Sequence, residues 1–434
     1  MPIAMRSIEP GSEDIELHIA HKMMFGFKLA ASFVALAAGV AGYWPGPHNS
    51  ECGDGVPTRC SRLPLHLKLV NQTYTLPDPF HFVGGQPVRN QEDWACRSAE
   101  IRELFQKYEL GYKPAKPLVF SSTFSNNTLN IVAGLSESKT INFSVPITPA
   151  VHTGSGLSPA IIVYDAPSIP IPSQVATITL NVDQIAQQDS VASRGIGLFY
   201  DLYGNDTTTA GALMAWAWAV SRIVDALEAH PEVGINPAKL AVTGCSRNGK
   251  GAMVAGAFDK RIALTIPQES GSGGDACWRT SRDMLVNRNL ATQTANEIVG
   301  ENVWFSESFN YFGQDNYTVA LLPVDHHELA GLVAPRGLYS TENVGFLWLG
   351  DWSNLECMSA ANKIYQALGA KDHQGFSQDG PHDHCSFPAD QDAEVAAFFN
   401  RFLLDEAVDT DVFRTVGNWT FDPKWTPWTV PNLA

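Results

Sequence analysis

Hydrophobic positions follow different periods in successive parts of this chain, and each period predicts a different kind of element. Trp94, Ile101, Leu104, Phe105 and Tyr108 recur at helical spacing, which predicts a largely polar helix over 91–110. Between 117 and 182 the runs shorten. PLVFSSTFSN, TLNIVAGL, KTINFSVPITP, PAIIVYDA and ATITLNV are alternating or apolar and bounded by turn residues, so they predict strands. From 211 onward strand-like and helix-like runs take turns. GALMAWAWAVSRIVDALEAH predicts a long helix stopped by Pro231, KLAVTGC a buried strand, RNGKGAMVAGAFD a helix of small residues, and RIALTIPQ the next strand. GLYSTENVGFLWLG and a helix around AANKIYQALGA continue the alternation; a last helix in AEVAAFFNRFL precedes a tail with tryptophans from Trp419 to Trp428. A β-meander followed by strand–helix alternation predicts an α/β fold: a mixed sheet with helices on both faces, in three layers. No internal repeat or Ser/Thr/Pro-rich linker interrupts the pattern, so one domain is expected over 43–434.

The beginning of the chain reads differently. Residues 29–41, LAASFVALAAGVA, are apolar and follow Lys22 and Lys28. Such a run is too short to cross a bilayer of about 30 Å as a helix. Small residues at Gly39 and Ala41, or at Val40 and Gly42, suit cleavage of a secretory signal, so 1–42 is expected to be an N-terminal extension and signal peptide. Glu9, Glu13, Asp14 and Glu16 are out of place ahead of such a signal, and initiation at Met23 or Met24 would leave them out. Asn71, Asn126, Asn142, Asn205, Asn316 and Asn418 open N-x-Ser/Thr sequons, candidate glycosylation sites on surface loops. The seven cysteines contain no C-x-x-C, which favours oxidised pairs over a zinc ribbon; Cys52 is the candidate for the odd one out. These features together predict an extracellular protein.

Composition narrows the partners. At 434 residues, 44% apolar and 17% charged, the chain can bury a large core and is not of a disordered class. A formal net charge of −16 leaves no cationic surplus for phosphates, which argues against nucleic acid or an anionic membrane as partner.

The sharpest chemical signal is KLAVTGCSRNGKG, 239–251. A buried strand running through Gly244-Cys245-Ser246 into a helix is the arrangement of a nucleophile elbow, which lifts a serine hydroxyl above the sheet. The second glycine falls at Gly249 rather than at 248, where Asn248 stands, so this is a variant of G-x-S-x-G. The helix N-terminus and the amide after the serine suit an oxyanion. A plain strand–turn–helix connection would show the same pattern. A serine nucleophile needs a base, and the base needs an orienting acid. The base is expected in Gly380-Pro381-His382-Asp383-His384-Cys385, between the last strand and the last helix. His382-x-His384 could also be read as a metal pair, but no further ligand motif completes it. For the acid, Glu269 closes the strand after the elbow helix, and parallel strands about 4.8 Å apart would bring it to a histidine beside Ser246. The rival strand end, taken at Phe346 to Trp348, offers no carboxylate before Asp351. Cys245 adjoins Ser246 and Cys385 adjoins His384, so a bridge between them would pin the two site loops; two unrelated buried thiols are the alternative. His326 and His327 are taken as structural.

These residues resemble the fungal glucuronoyl esterases of carbohydrate esterase family 15. The family's G-C-S-R-x-G-K-G-A signature stands as Gly244 to Ala252 and its H-x-H-C-x-F-P segment as His382 to Pro388; the GALMAWAWAVSRIVDALE helix, PVDHHELAGLVAPRG and DWACRSAEI extend the similarity over about 60–405. The family cleaves esters that link 4-O-methyl-glucuronic acid of glucuronoxylan to lignin alcohols. The resemblance implies Ser246 as nucleophile, His384 as general base, Glu269 as its acid, and Arg247 at the oxyanion. It further implies Lys250, Gln293 and Glu301 as sugar contacts, Trp348 as substrate-facing, and bridges Cys60–Cys96, Cys245–Cys385 and Cys277–Cys357. It implies an α/β-hydrolase catalytic domain over 43–434 with no metal or organic cofactor, and a monomer is expected. Two rivals remain: another wall esterase, acting on acetyl-xylan or feruloyl esters, and an inactive carbohydrate-binding relative, which would be expected to lack one of Ser246, His384 and Glu269.

Overall fold

Ten strands form one sheet in the order β1-β2-β3-β5-β4-β6-β7-β8-β9-β10 in a computed structural model of the chain. It describes Cys60, 63–64, 67–69, 74–151, 156–206, 208–416 and 419–434. All of these belong to one compact unit, Glu51–Ala434. The expected signal peptide, Cys52, Asn71 and Asn418 lie outside the described residues.

The meander expected from the alternating runs is β1 (Val119–Ser125), β2 (Thr128–Ser136) and β3 (Lys139–Thr148), paired antiparallel. β3 joins β5 (Ala176–Leu180) antiparallel. From there on every pairing is parallel: β4 (Ser158–Tyr164), β6 (Ile235–Cys245), β7 (Ile262–Gln268), β8 (Gly337–Asn343), β9 (Gln374–Asp379) and β10 (Phe413–Arg414). The chain runs outward from β4 to β5, then returns past β4 to β6 and proceeds the other way. In open α/β sheets, ligands bind outside the carboxyl ends of strands at such a reversal.

Residues 160–163 of β4 and 240–242 of β6 are apolar because both faces of the sheet are covered there. Ala160, Ile162, Leu240 and Val242 point into the larger core, while Ile161, Val163, Ala241 and Leu264 point into a second cluster with Val395, Phe398 and Phe399 of α10 (Asp392–Phe402). The larger core is closed by α1 (Gln91–Phe105), the short α2 (Val182–Ile185) and α3 (Leu198–Tyr203), α4 (Ala212–Ala229) and α5 (Arg247–Phe258), followed by α6 (Trp278–Arg288), α7 (Ala295–Glu301), α8 (His326–Gly331) and α9 (Asp351–Ala367). The three layers and the mixed sheet expected from the sequence are therefore present. In α4 every residue from Ala212 to Leu227 is buried, which is why the run Ala212 to Val220 is apolar on all sides.

Two boundaries depart from the periodicity. The helix expected over 91–110 is α-helical to Phe105 and continues to Leu110 as one wider π-helical stretch. The strand expected through 350 stops at Asn343, because the Asn343 Oδ1 accepts the Gly345 amide at 2.8 Å and turns the chain. Leu347–Leu349 is then a 3-10 turn leading into α9. This corrects the reading of the rival strand end: Glu342 lies there, one residue before the last of β8.

Candidate active site

At the carboxyl end of β6 the register pairs Cys245 with Gln268 of β7, and the Ser246 amide donates to the Gln268 carbonyl at 2.9 Å. Ser246 caps α5 with φ 60° and ψ −126°, a conformation that only a tight, over-determined turn holds. The turn closes because Gly244 and Gly249 carry no Cβ. One added at Gly249 would stand 2.7 Å from the Gln268 carbonyl oxygen, and one at Gly244 2.6 Å from the Asn248 backbone. Asn248, unexpected in the motif, has a use: its Nδ2 donates to Asp165 Oδ2 at 2.9 Å, tying the turn to the end of β4. Arg247 is the first residue of α5, exposed, so its amide is one of the helix's unpaired leading donors.

Glu269 follows β7 directly, 2% exposed, with φ 45° and its amide bonded to the Thr341 carbonyl of β8 at 2.7 Å. His384 Nδ1 donates to Glu269 Oε2 at 2.6 Å, and the Cys385 amide donates to both Glu269 oxygens at 3.1 Å. An acceptor held on Nδ1–H leaves Nε2 as the basic nitrogen. That Nε2 is buried and makes no hydrogen bond. Long or unmade nucleophile–base contacts are common in unliganded sites. His382, the other candidate, is held by Asn343, whose Nδ2 donates to its carbonyl at 2.8 Å, and its Nδ1 lies 3.9 Å from Glu269 Oε1.

Cys245 and Cys385 are bonded to each other, spanning 140 residues and joining the Ser246 turn to the His384 loop. Cys60–Cys96 and Cys277–Cys357 are bonded as well. The cluster Cys245, His384 and Cys385 has metal-like spacing, but its two sulfurs are spent on the bridge.

The fungal glucuronyl esterase family model matches residues 132–369. The chain belongs to the fungal glucuronoyl esterases. It is 51% identical over 372 residues to 4-O-methyl-glucuronoyl methylesterase 1 of Wolfiporia cocos, covering 82% of this chain and 89% of that one. The glucuronoyl esterase catalytic domain of Hypocrea jecorina superposes with a TM-score of 0.81 at 47% identity, covering 86% of this chain and all of that one. A serine-to-alanine mutant of the Sporotrichum thermophile glucuronoyl esterase, solved with methyl 4-O-methyl-β-D-glucopyranuronate, superposes at 0.79 with 43% identity over 84% of this chain and 97% of that one. This esterase thus has the α/β-hydrolase architecture of its relatives and is a carboxylic ester hydrolase.

Contacts link the remaining residues expected to touch substrate to His384, to one another or to the loop after Glu269. The Trp348 ring, 39% exposed, meets the His384 ring edge-on at 5.1 Å, and Phe346 meets it at 5.6 Å. The Gln293 amide donates to the Trp348 carbonyl at 3.1 Å, and its Nε2 donates to Glu301 Oε2 at 2.6 Å. Lys250 is 2% exposed; its Nζ donates to the Ser270 carbonyl and lies 5.3 Å from the Trp304 ring centre. Burial pushes the Lys250 ammonium down to about 8, against the pull of Glu342, Asp275 and Glu301. Trp304, Phe346, Asp275 and Glu342 were not foreseen. The first two read as ordinary core aromatics, and no local pattern marks the acids.

His326 and His327 are fully buried. His326 bridges the Gly274 carbonyl and Glu109, each at 2.7 Å. Burial opposes its charge, but Glu109 outweighs burial and raises its pKa. His327 is pushed down to about 4 by burial and bonds the Pro77 carbonyl at 2.9 Å. Of the four described sequons, Asn126, Asn142 and Asn205 are exposed; Asn316 is half-buried and its Oδ1 accepts from Thr294 at 3.0 Å.

Proposed function

We propose that this chain is a secreted serine esterase that hydrolyses esters between the 4-O-methyl-D-glucuronic acid of glucuronoxylan and lignin alcohols. The observation that carries the proposal is the Glu269–His384 hydrogen bond of 2.6 Å, with His384 Nε2 left free and the Cys245–Cys385 bridge holding the histidine loop to the Ser246 turn. His384 Nε2 takes the Ser246 proton as Oγ attacks the uronate carbonyl carbon. The negative charge passes to the carbonyl oxygen, which the Arg247 amide and guanidinium receive. Collapse breaks the ester bond, and the imidazolium gives its proton to the departing alcohol. Water, deprotonated by His384, then releases the glucuronate and regenerates Ser246. Glu269 stays ionised and keeps Nδ1–H in place throughout. Lys250, Gln293, Glu301 and Trp348 hold the sugar.

Several further readings accompany this one. Residues 1–42 are removed on export, 43–434 act as a monomeric catalytic domain, and the exposed sequons carry glycans. The test is hydrolysis of benzyl glucuronate against an acetyl-xylan control, in the wild type and in Ser246→Ala. Uronate-ester cleavage that disappears in Ser246→Ala is expected. Cleavage of the acetyl control alone would favour an acetyl-xylan or feruloyl-type esterase instead, and silence on both an inactive carbohydrate-binding relative.

A further inference from the structure

The loop after α2 carries a buried glutamine that the reaction above does not use. Gln188 is 2% exposed; its Oε1 accepts the Trp304 Nε1–H at 2.9 Å, and its Nε2 donates to Asp183 Oδ1 at 3.4 Å. An indole N–H can only donate and an ionised carboxylate can only accept. The side chain between them therefore needs an acceptor at one end and a donor at the other, which an amide supplies. The backbone around Trp304 is fixed separately. The Ala212 and Leu213 amides, leading donors of α4, bond the Val303 and Trp304 carbonyls at 3.1 and 3.2 Å, and Arg194 Nη2 bonds the Phe305 carbonyl at 3.0 Å. What remains for Gln188 to set is the direction of the Trp304 ring. The centre of that ring lies 5.3 Å from Lys250 Nζ, which also donates to the Ser270 carbonyl. Lys250 and Trp304 are both buried, and a cation over an indole face counts for more there than at an exposed site.

We propose that Gln188 is a positioning residue for sugar recognition: it holds the Trp304 ring against Lys250 and so fixes where the ammonium is presented. The proposal rests on the reading of Lys250 as a sugar contact. Without the Gln188 oxygen the buried indole N–H has no acceptor, and the ring turns toward another partner at the expense of its place beside Lys250. Because Gln188 acts through Trp304 and Lys250, its loss bears on KM and leaves kcat in place.

A double-mutant cycle tests this. Gln188→Leu removes both polar ends and should raise KM for benzyl glucuronate about fivefold, with kcat within about twofold of wild type. Trp304→Phe should raise KM as well. Added to Trp304→Phe, Gln188→Leu should cost nothing further, since a phenyl ring has no N–H to hold. Gln188→Glu alone sets two carboxylates against each other and should raise KM. Combining it with Asp183→Asn restores a donor–acceptor pair, keeps an acceptor on the indole, and should bring KM back. An unchanged KM in Gln188→Leu, a rise that persists in the Trp304→Phe background, or no recovery in Gln188→Glu/Asp183→Asn would overturn the proposal; should Gln188→Leu fail to fold, the recovery decides it. Indole N–H exchange in protein carrying ¹⁵N-tryptophan gives a readout without turnover. The signal missing from Trp304→Phe belongs to Trp304. It should exchange slowly in wild type and fast in Gln188→Leu, and fast exchange in wild type would also overturn the proposal. If wild type proves silent on uronate esters the functional reading fails, and the exchange rate still decides whether Gln188 holds the ring.

Discussion

Replacing Cys245 and Cys385 together by serine removes the bridge between the Ser246 turn and the His384 loop. The bridge closes 140 residues of chain, for which loop-closure entropy gives about 5 kcal/mol of stabilisation; Cys60–Cys96 closes 36 and gives about 4 kcal/mol. With an unfolding entropy of about 0.8 kcal/mol/K for roughly 380 ordered residues, both losses shift Tm by about 5–6 °C. Stability alone therefore does not distinguish the two bridges. Geometry does. Cys385 holds φ 66° while its amide donates to both Glu269 oxygens, and it sits next to His384. Without the bridge this backbone relaxes, and a displacement of about 1 Å at a catalytic group costs about 100-fold in rate. The expected result is a fall of about 100-fold in kcat for Cys245→Ser/Cys385→Ser, against less than about twofold for Cys60→Ser/Cys96→Ser. Both would be measured on benzyl glucuronate well below Tm, with the folded fraction followed by circular dichroism. A wild-type kcat in the first variant, at a lowered Tm, would show that the loop keeps its place without the bridge and refute the reasoning.

Three further outcomes follow from the site. Glu269→Gln should lower kcat by about 10³–10⁴-fold with little change in KM, since the amide no longer fixes Nδ1–H; steady-state kinetics with a loss below tenfold would remove Glu269 from its role. In the wild type, Lys250 is charged below about 8 and loses its proton above it, so KM for a glucuronate ester should rise through that region while kcat holds. A pH profile with flat KM to well above 8 would show that Lys250 does not hold the sugar. Gly249→Ala should lower stability by about 1–3 kcal/mol despite alanine's better helix propensity, because its Cβ would meet the Gln268 and Gly244 carbonyl oxygens at 2.7 and 3.0 Å; a raised Tm would contradict this.

What the sequence could and could not convey has a physical origin in each case. The elbow was legible because an apolar strand, a serine and a helix of small residues all lie within 239–251. Glu269 was legible because adjacent parallel strands must end side by side. Glu342 was hidden by the apolar run after it: Val344, Phe346, Leu347 and Leu349 extend the look of a strand past the turn that Asn343 makes with Gly345. α6 was hidden for the opposite reason. Its polar sequence has no apolar stripe, yet Trp278 to Met284 are all buried, with Arg279 bonded to Asp325 and the carbonyls of Ala320, Leu322 and Val324. Periodicity reads burial of apolar surface, and it is silent where a core segment is satisfied by hydrogen bonds instead.

The same distinction explains how the site holds its shape. Ser246, Glu269 and Cys385 all carry positive φ, at 60°, 45° and 66°, and none is glycine. Each such residue costs on the order of 1–3 kcal/mol and persists only where its surroundings allow no alternative. Here the constraints form a closed circuit. The Ser246 amide is bonded to the residue before Glu269, the Glu269 amide to β8, the Glu269 carboxylate to the Cys385 amide, and the Cys385 sulfur back to the residue before Ser246. None of the three can relax without breaking a ladder bond, a buried charge-assisted bond or a covalent one. The strain lies at Ser246, at Glu269 and at Cys385 beside His384. Sequence periodicity therefore captured the layers, and these three positions had to be read from chemistry.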